Sequence, residues 1–296
     1  AEKPRKAQAV YTFSSLIGRS EEFTEAIENA KRAAKGLGNV LILGESGTGK
    51  ELVAQAIHEA SPRNTGPFIP LNCAAIPKEL ISSELMGYED GAFTGAKRGG
   101  QAGKFELANG GTIFLDEIAE MPMDMQCSLL RILEDRVVCR IGGSKYHPVN
   151  VRIVAATNRD LWKCVQRGTF RLDLYFRLNV IRIELPPLRD RTGDIDILVP
   201  YLLESAARKN RVPMVAVSGE VMELFRRYYW PGNVRELKNV VEKCAVMTTS
   251  DTVTLENLPK DVLRQLSSSG PGAGYDPAVF TGGFSPPQDA APAVPA

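Results

Sequence analysis

Five short, mostly apolar runs punctuate the chain before residue 185, at Val40–Leu43 and at 68–71, 113–115, 151–155 and 180–184. Each has the length of a buried strand. Between most of them the apolar positions fall at helical spacing. In 51–60, Leu52, Val53, Ala56 and Ile57 share one face, and in 125–134 Leu129, Leu130 and Leu133 do the same. A further helical stretch covers 20–35. Strands that alternate with helices predict a parallel sheet covered on both faces, a three-layer α/β domain built on five strands.

Beyond Pro186-Pro187 the strand signal stops. Residues 194–210, 218–229 and 233–247 carry helical periodicity, with Pro231-Gly232 breaking the chain before the last of them. This predicts a small all-helical second domain. The resulting division is a linker at 1–13, an α/β domain at 14–188, a helical domain at 189–262 and a tail at 263–296. The tail's Ser, Gly, Ala and Pro content predicts a disordered linker.

Composition narrows the class. At 296 residues and 44% hydrophobic content the chain can bury a substantial core, and its net charge of +1 sets up no global field for nucleic acid. No apolar run approaches a membrane span and no secretory signal opens the sequence, so a cytoplasmic protein with no membrane partner is expected. Cys73, Cys127, Cys139, Cys164 and Cys244 are odd in number and widely spaced, which fits free thiols in a reducing compartment.

The candidate chemistry sits at two strand ends. After Val40–Leu43 comes Gly44-Glu45-Ser46-Gly47-Thr48-Gly49-Lys50-Glu51, then a helix. Glycines at 44, 47 and 49 let a loop adopt positive φ and turn its N–H groups onto phosphate oxygens, and the following helix adds its positive end. Lys50 supplies a mobile charge for the terminal phosphates of a nucleotide. Glu51 stands where a Ser or Thr usually helps to hold magnesium, so the metal must be held mainly elsewhere. The run 113–115 ends in Asp116-Glu117, at the sheet edge where ligands sit in such folds. There Asp116 would hold Mg2+, directly or through water, and Glu117 would act as general base.

An insertion at 91–96, Gly91-Ala92-Phe93-Thr94-Gly95-Ala96, lies between two helical stretches and has the composition of a mobile tip presenting Phe93. A local plug against the core is the alternative. The hexapeptide resembles the signature of the bacterial enhancer-binding proteins, the AAA+ ATPases that activate sigma-54 RNA polymerase. Over residues 14–260 the loop at 44–51, including Glu51, is similar to that family's Walker A, and Gly-Gly-Thr-Ile-Phe-Leu-Asp-Glu at 110–117 to its Walker B.

The resemblance implies ATP and Mg2+ as cofactors and assigns further roles. Phe93 and Thr94 would touch sigma-54, beside a second surface loop at Arg140-Ile141-Gly142-Gly143. Asn72 would be the switch that holds Glu117 away from water. Asn158 would sense the γ phosphate, and Arg171 and Arg177 would be paired fingers reaching a neighbouring subunit's nucleotide. Arg235 would reach the phosphates from the helical domain, and Ile17 and Gly18 would line the adenine pocket. Fingers acting in trans imply a homo-oligomeric ring, a hexamer in this family with a heptamer as the alternative, that remodels the closed sigma-54 polymerase–promoter complex. An AAA+ unfoldase or DNA motor, and a transcription factor using the fold only as an oligomerisation scaffold, are the competing readings. Family members resemble a three-part chain with a sensor and a helix-turn-helix, so promoter or enhancer DNA is expected only indirectly or through a domain outside this segment.

Overall fold

A computed structural model describes residues 9–93, 98–256 and 258–267. Its central sheet contains β1 (Val40–Leu43), β2 (Phe68–Asn72), β3 (Thr112–Asp116), β4 (Arg152–Thr157) and β5 (Ile181–Glu184). All pair in parallel, in the order β2-β3-β4-β1-β5. β1 has the expected ends, and the ends of the other four lie within two residues of the expected ones. The register brings Leu43 level with Thr157, and Asn72 level with Asp116, so the chemistry-bearing strand ends lie along one edge.

Side-chain alternation explains why both faces need cover. Leu41, Ile113, Leu115, Ile153 and Ala155 point into one core. Val40, Ile42, Phe114, Val154 and Ala156 point into the other. The second face packs against α1 (Glu21–Ala34) and α2 (Lys50–Glu59). The first is covered by α3 (Lys78–Met86), α4 (Lys104–Leu107), α5 (Met123–Asp135), α6 (Leu161–Gln166) and α7 (Leu172–Leu178). Each fully buried Leu, Ile or Phe in these layers contributes roughly 1.5–3 kcal/mol through burial.

Helices α6 and α7 are too short to give a clear period and were not expected. Asp160 starts α6 by accepting the Trp162 and Lys163 N–H groups at 3.0 and 3.2 Å. Two antiparallel ribbons were also missed, Val137–Cys139 with Tyr146–Pro148 and Gly87–Tyr88 with Gln101–Ala102. The second pairs Gly87 with Ala102 and Tyr88 with Gln101.

The smaller domain contains α8 (Ile195–Asn210), α9 (Gly219–Arg227), α10 (Asn233–Met247) and α11 (Lys260–Ser267). It is not purely helical, because Ala216–Val217 pairs in parallel with Thr252–Val253. Trp230 anchors its core, fully buried, with Nε1 donating to the Phe225 carbonyl at 2.7 Å. The expected boundary at 262 falls inside α11, since Leu258 and Val262 are buried and Leu263 packs against the same cluster. Residues 263–267, read as tail, are therefore helical, and 268–296 lie outside the described residues. At the other end, Val10 and Tyr11 donate their N–H groups to Gln55 Oε1, and Ala9 and Phe13 pack on the core. That part of the expected linker is docked.

Candidate functional site

The loop after β1 is shaped by two glycines, Gly47 at φ +82° and Gly49 at φ +100°. Gly44 was expected to join them and does not. Its role is close packing, since a Cβ there would stand 2.9 Å from Thr48 Oγ1 and 3.1 Å from the Leu185 carbonyl. Gly49 caps α2 with no side-chain hydrogen bond, leaving the first-turn N–H groups of the helix for an anion. Lys50 is 7% exposed, and its Nζ donates to the Gly44 and Glu45 carbonyls at 2.8 and 3.1 Å. Burial pulls its pKa below the usual lysine value, against the opposing pull of Glu117 and Asp116. A buried ammonium at the start of a helix is suited to pair with a phosphate.

Across the edge, Glu117 follows β3 in a left-handed conformation at φ +50°. One carboxylate oxygen lies 4.0 Å from Lys50 Nζ, and the other accepts the Asn158 backbone N–H at 3.4 Å. The Asn158 side chain is exposed at the same edge. Asn72 corrects the expectation. Its Nδ2 donates to Asp116 Oδ2 at 3.2 Å, not to Glu117, while its Oδ1 accepts the Ala74 and Ala75 N–H groups. The parallel register of β2 and β3 dictates this, because it places Asn72 opposite Asp116.

Magnesium is tested by its donor chemistry. Asp116 accepts one hydrogen bond per oxygen, from Asn72 and from the Glu117 N–H, which leaves each oxygen a lone pair for a hard cation. An ion of this kind is held by one or two carboxylates plus phosphate and water, so the residues fit. Glu51 instead accepts from Gln55 Nε2 at 3.2 Å.

The smaller domain grips the loop from outside, through residues that sequence reasoning partly missed. Arg235, expected here, donates to Ser46 Oγ at 2.8 Å. Arg189 was not expected. It forks onto Glu45 at 2.8 and 2.5 Å and holds that carboxyl below its ordinary pKa. Buried Asn233, at φ +51°, donates to Glu45 Oε2 and the Ser46 carbonyl and accepts the Leu188 N–H. Buried Asp194 accepts the Arg19 and Ser20 N–H groups at 2.7 and 2.9 Å. This fixes Gly18, whose absent Cβ would clash with Phe23 at 2.2 Å, while Ile17 packs on the helical domain's core. Alternation patterns carry no signal for such polar residues; adjacency to Pro187 and Pro231-Gly232 was the available hint.

Arg171 and Arg177 stand apart from the loop in this single chain. Arg171 pairs with Asp173 at 3.0 and 2.6 Å and donates to Cys127 Sγ at 3.0 Å, while Arg177 donates to the Leu133 carbonyl at 3.4 Å. Phe176 and Leu172 beside them are 62% and 47% exposed, large apolar side chains on the same short helix.

The insertion begins at Gly91, φ +73°, and Phe93 is 43% exposed with its ring edge-on to Tyr88, centroids 5.0 Å apart. Thr94, Gly95 and Ala96 lie outside the described residues. The stem is tied to the second loop: the Glu89 N–H donates to the Ile141 carbonyl and the Ile141 N–H to the Gly87 carbonyl, both at 3.0 Å. Ala92 packs where a Cβ on Gly142 would stand. Arg140 forks onto Glu106 at 2.8 Å through both nitrogens and reaches Glu89 at 3.5 Å.

Residues 16–184 match the family described as sigma-54 interaction domain, and residues 189–273 the AAA+ ATPase lid domain. A signal-transduction and transcriptional-control protein of Clostridium beijerinckii is 52% identical over 256 residues, which cover 86% of this chain and 40% of that one. The DNA-binding transcriptional regulator NtrC of Proteus hauseri is 49% identical over 261 residues, 88% of this chain and 55% of its own. The crystal structure of NtrX from Brucella abortus in complex with ADP superposes with a TM-score of 0.79 at 34% identity, covering 88% of this chain and 58% of that one. The chain thus spans about half the length of the relatives it matches. Among the described residues no helix is long and apolar enough to cross a membrane.

Proposed function

This chain belongs to the sigma-54 activator family, a sigma-54 interaction domain followed by an AAA+ lid, and from that premise we propose that it is a cytoplasmic, ring-forming ATPase. It binds ATP with Mg2+ and couples hydrolysis to remodelling of the closed sigma-54 polymerase–promoter complex. The observation that carries this reading is the convergence of Lys50, Asp116, Glu117 and Asn158 on one sheet edge, beside a helix start that no side chain caps.

In this mechanism Lys50 exchanges its two carbonyl partners for the terminal phosphates, where a charge-assisted contact is the stronger one. Asp116 would hold Mg2+, which when bound neutralises charge on the β and γ phosphates. Glu117 accepts the proton of the attacking water, and Asn158 lies beside it to orient the same water. Asn72, through Asp116, holds the acidic pair in place and so positions Glu117 indirectly. Arg171 and Arg177, which in this chain bond to Asp173, Cys127 and the Leu133 carbonyl, serve the neighbouring copy's nucleotide, and that requirement makes the ring part of the site. Ile17 and Gly18 flank the base. The ring is a hexamer by family, with a heptamer as the alternative.

The stem of the Phe93 loop, bonded to the Ile141 loop, supports a partner-binding tip at 91–96 that meets sigma-54. Promoter DNA enters only through that partner or through a domain outside this segment. The test separates turnover from coupling. Thr94→Ala should keep ATP turnover, rising steeply with protein concentration, yet abolish sigma-54-dependent open-complex formation. Parallel loss of both activities would refute the division of labour.

A further inference from the structure

We propose that Gln126 and Asp173 are positioning residues that mount Arg171 for work in a neighbouring subunit. The inference rests on the reading of Arg171 as a finger acting in trans. Gln126 is fully buried on α5 and uses its amide three times. Its Oε1 accepts the Arg171 backbone N–H at 2.8 Å, and its Nε2 donates to the Thr169 carbonyl at 3.1 Å and the Met121 carbonyl at 2.8 Å. A buried amide with every group placed is a rigid strut, because losing any one bond strands a desolvated partner.

The strut has a direction. Met121 ends the short 3-10 turn that begins directly after Glu117, and Thr169 and Arg171 precede α7. Gln126 therefore joins a protomer's own general-base segment to the base of the finger it lends its neighbour. At the other end of the side chain, Asp173 takes both Nε and Nη2 of Arg171, and Cys127 on α5 takes Nη1. The guanidinium is thereby held in one direction, at the start of the helix that carries exposed Leu172 and Phe176. A finger whose base and head are both fixed meets the neighbouring phosphate with little ordering left to do.

Mixed-ring turnover tests this on the full chain. Lys50→Ala and Arg171→Ala are each expected to be inactive and to recover part of the activity when mixed, since one supplies the finger and the other the loop. Gln126→Met and Asp173→Asn should each lower turnover by about 10²-fold, the scale of a small misplacement of a catalytic group. Their affinity for a fluorescent ADP analogue should stay within about twofold of wild type, because the loop is untouched. Both should recover on mixing with Lys50→Ala, which brings an intact Arg171 to their sites. Turnover within about twofold of wild type in both variants would overturn the proposal. So would a loss that mixing fails to restore while Arg171→Ala is restored, since the defect would then lie in the variant's own site. Failure of the Arg171→Ala mixture to recover would instead strike the trans-finger reading beneath it. If Gln126→Met does not fold by circular dichroism, Asp173→Asn decides the matter, because its side chain is 44% exposed.

Discussion

The Gly232 carbonyl oxygen stands 2.2 Å from where a Cβ on Gly47 would be, so the helical domain rests directly on the backbone of the phosphate loop. The Val234 N–H adds a bond to the Gly47 carbonyl at 3.1 Å. Loop and lid are two sides of one contact, and a change in either moves the other.

Gly47→Ala meets two penalties there. Its φ of +82° costs a residue with a Cβ about 1–2 kcal/mol, and the clash with a carbonyl cannot be relieved by a rotamer change. The variant is expected to lose at least that much stability in urea unfolding and to bind ADP more weakly in calorimetry. Unchanged affinity would mean that the lid does not press on the loop in solution.

Asn233→Ala removes three hydrogen bonds at a buried position and leaves the Leu188 N–H without its acceptor. A loss of about 1–3 kcal/mol is expected from the stranded group alone. Denaturant titration measures it, and Arg235→Ala, at an exposed contact, should cost less.

The Glu45–Arg189 pair has a defined pH signature. Arg189 first, then Asn233, hold the Glu45 carboxyl below its ordinary value of 4.5, so the pair's stabilisation is present above that pH and lost as pH falls through the lower folded value. Wild type should therefore exceed Glu45→Gln in thermal stability at neutral pH, with the gap closing only below about pH 4.5. A gap that persisted into strong acid would point to packing instead.

Glu117→Gln keeps the shape and removes the proton acceptor. Turnover should fall by about 10²–10⁴-fold with nucleotide binding retained, as measured by phosphate release and by binding of the ADP analogue. A variant that still hydrolysed ATP at the wild-type rate would move the general base elsewhere.

The cysteines divide by accessibility. Cys73, Cys164 and Cys244 are buried, and burial, reinforced by Asp116 and Glu117, pushes the Cys73 thiol up to about 12. Under native conditions at pH 8, alkylation followed by mass spectrometry should mark Cys127 and Cys139 well before the other three.

Much of the architecture was legible because it rests on local repetition. The five strands and helices α1, α2, α5, α8, α9 and α10 follow from apolar spacing, and the Gly-rich loop from its place between a strand and a helix. Helices α6 and α7, at six and seven residues, complete too few turns to declare a period. The ribbon strands, at two and three residues, are shorter still. The bond from Asn72 to Asp116 was missed for a different cause, since it depends on strand register and not on residue type.

The linear order of residues determined that strand, phosphate loop and helix follow one another, and that an acidic pair ends a buried strand, because these are properties of neighbours along the chain. Only the folded molecule decided that Glu45 answers to Arg189, that Asn233 spans loop and lid, and that Gln126 supports Arg171. Those partners are separated by 144, 188 and 45 residues. Their meeting is set by how the sheet stacks against its helices and by the need of each buried polar group for a partner, a condition that no local pattern records.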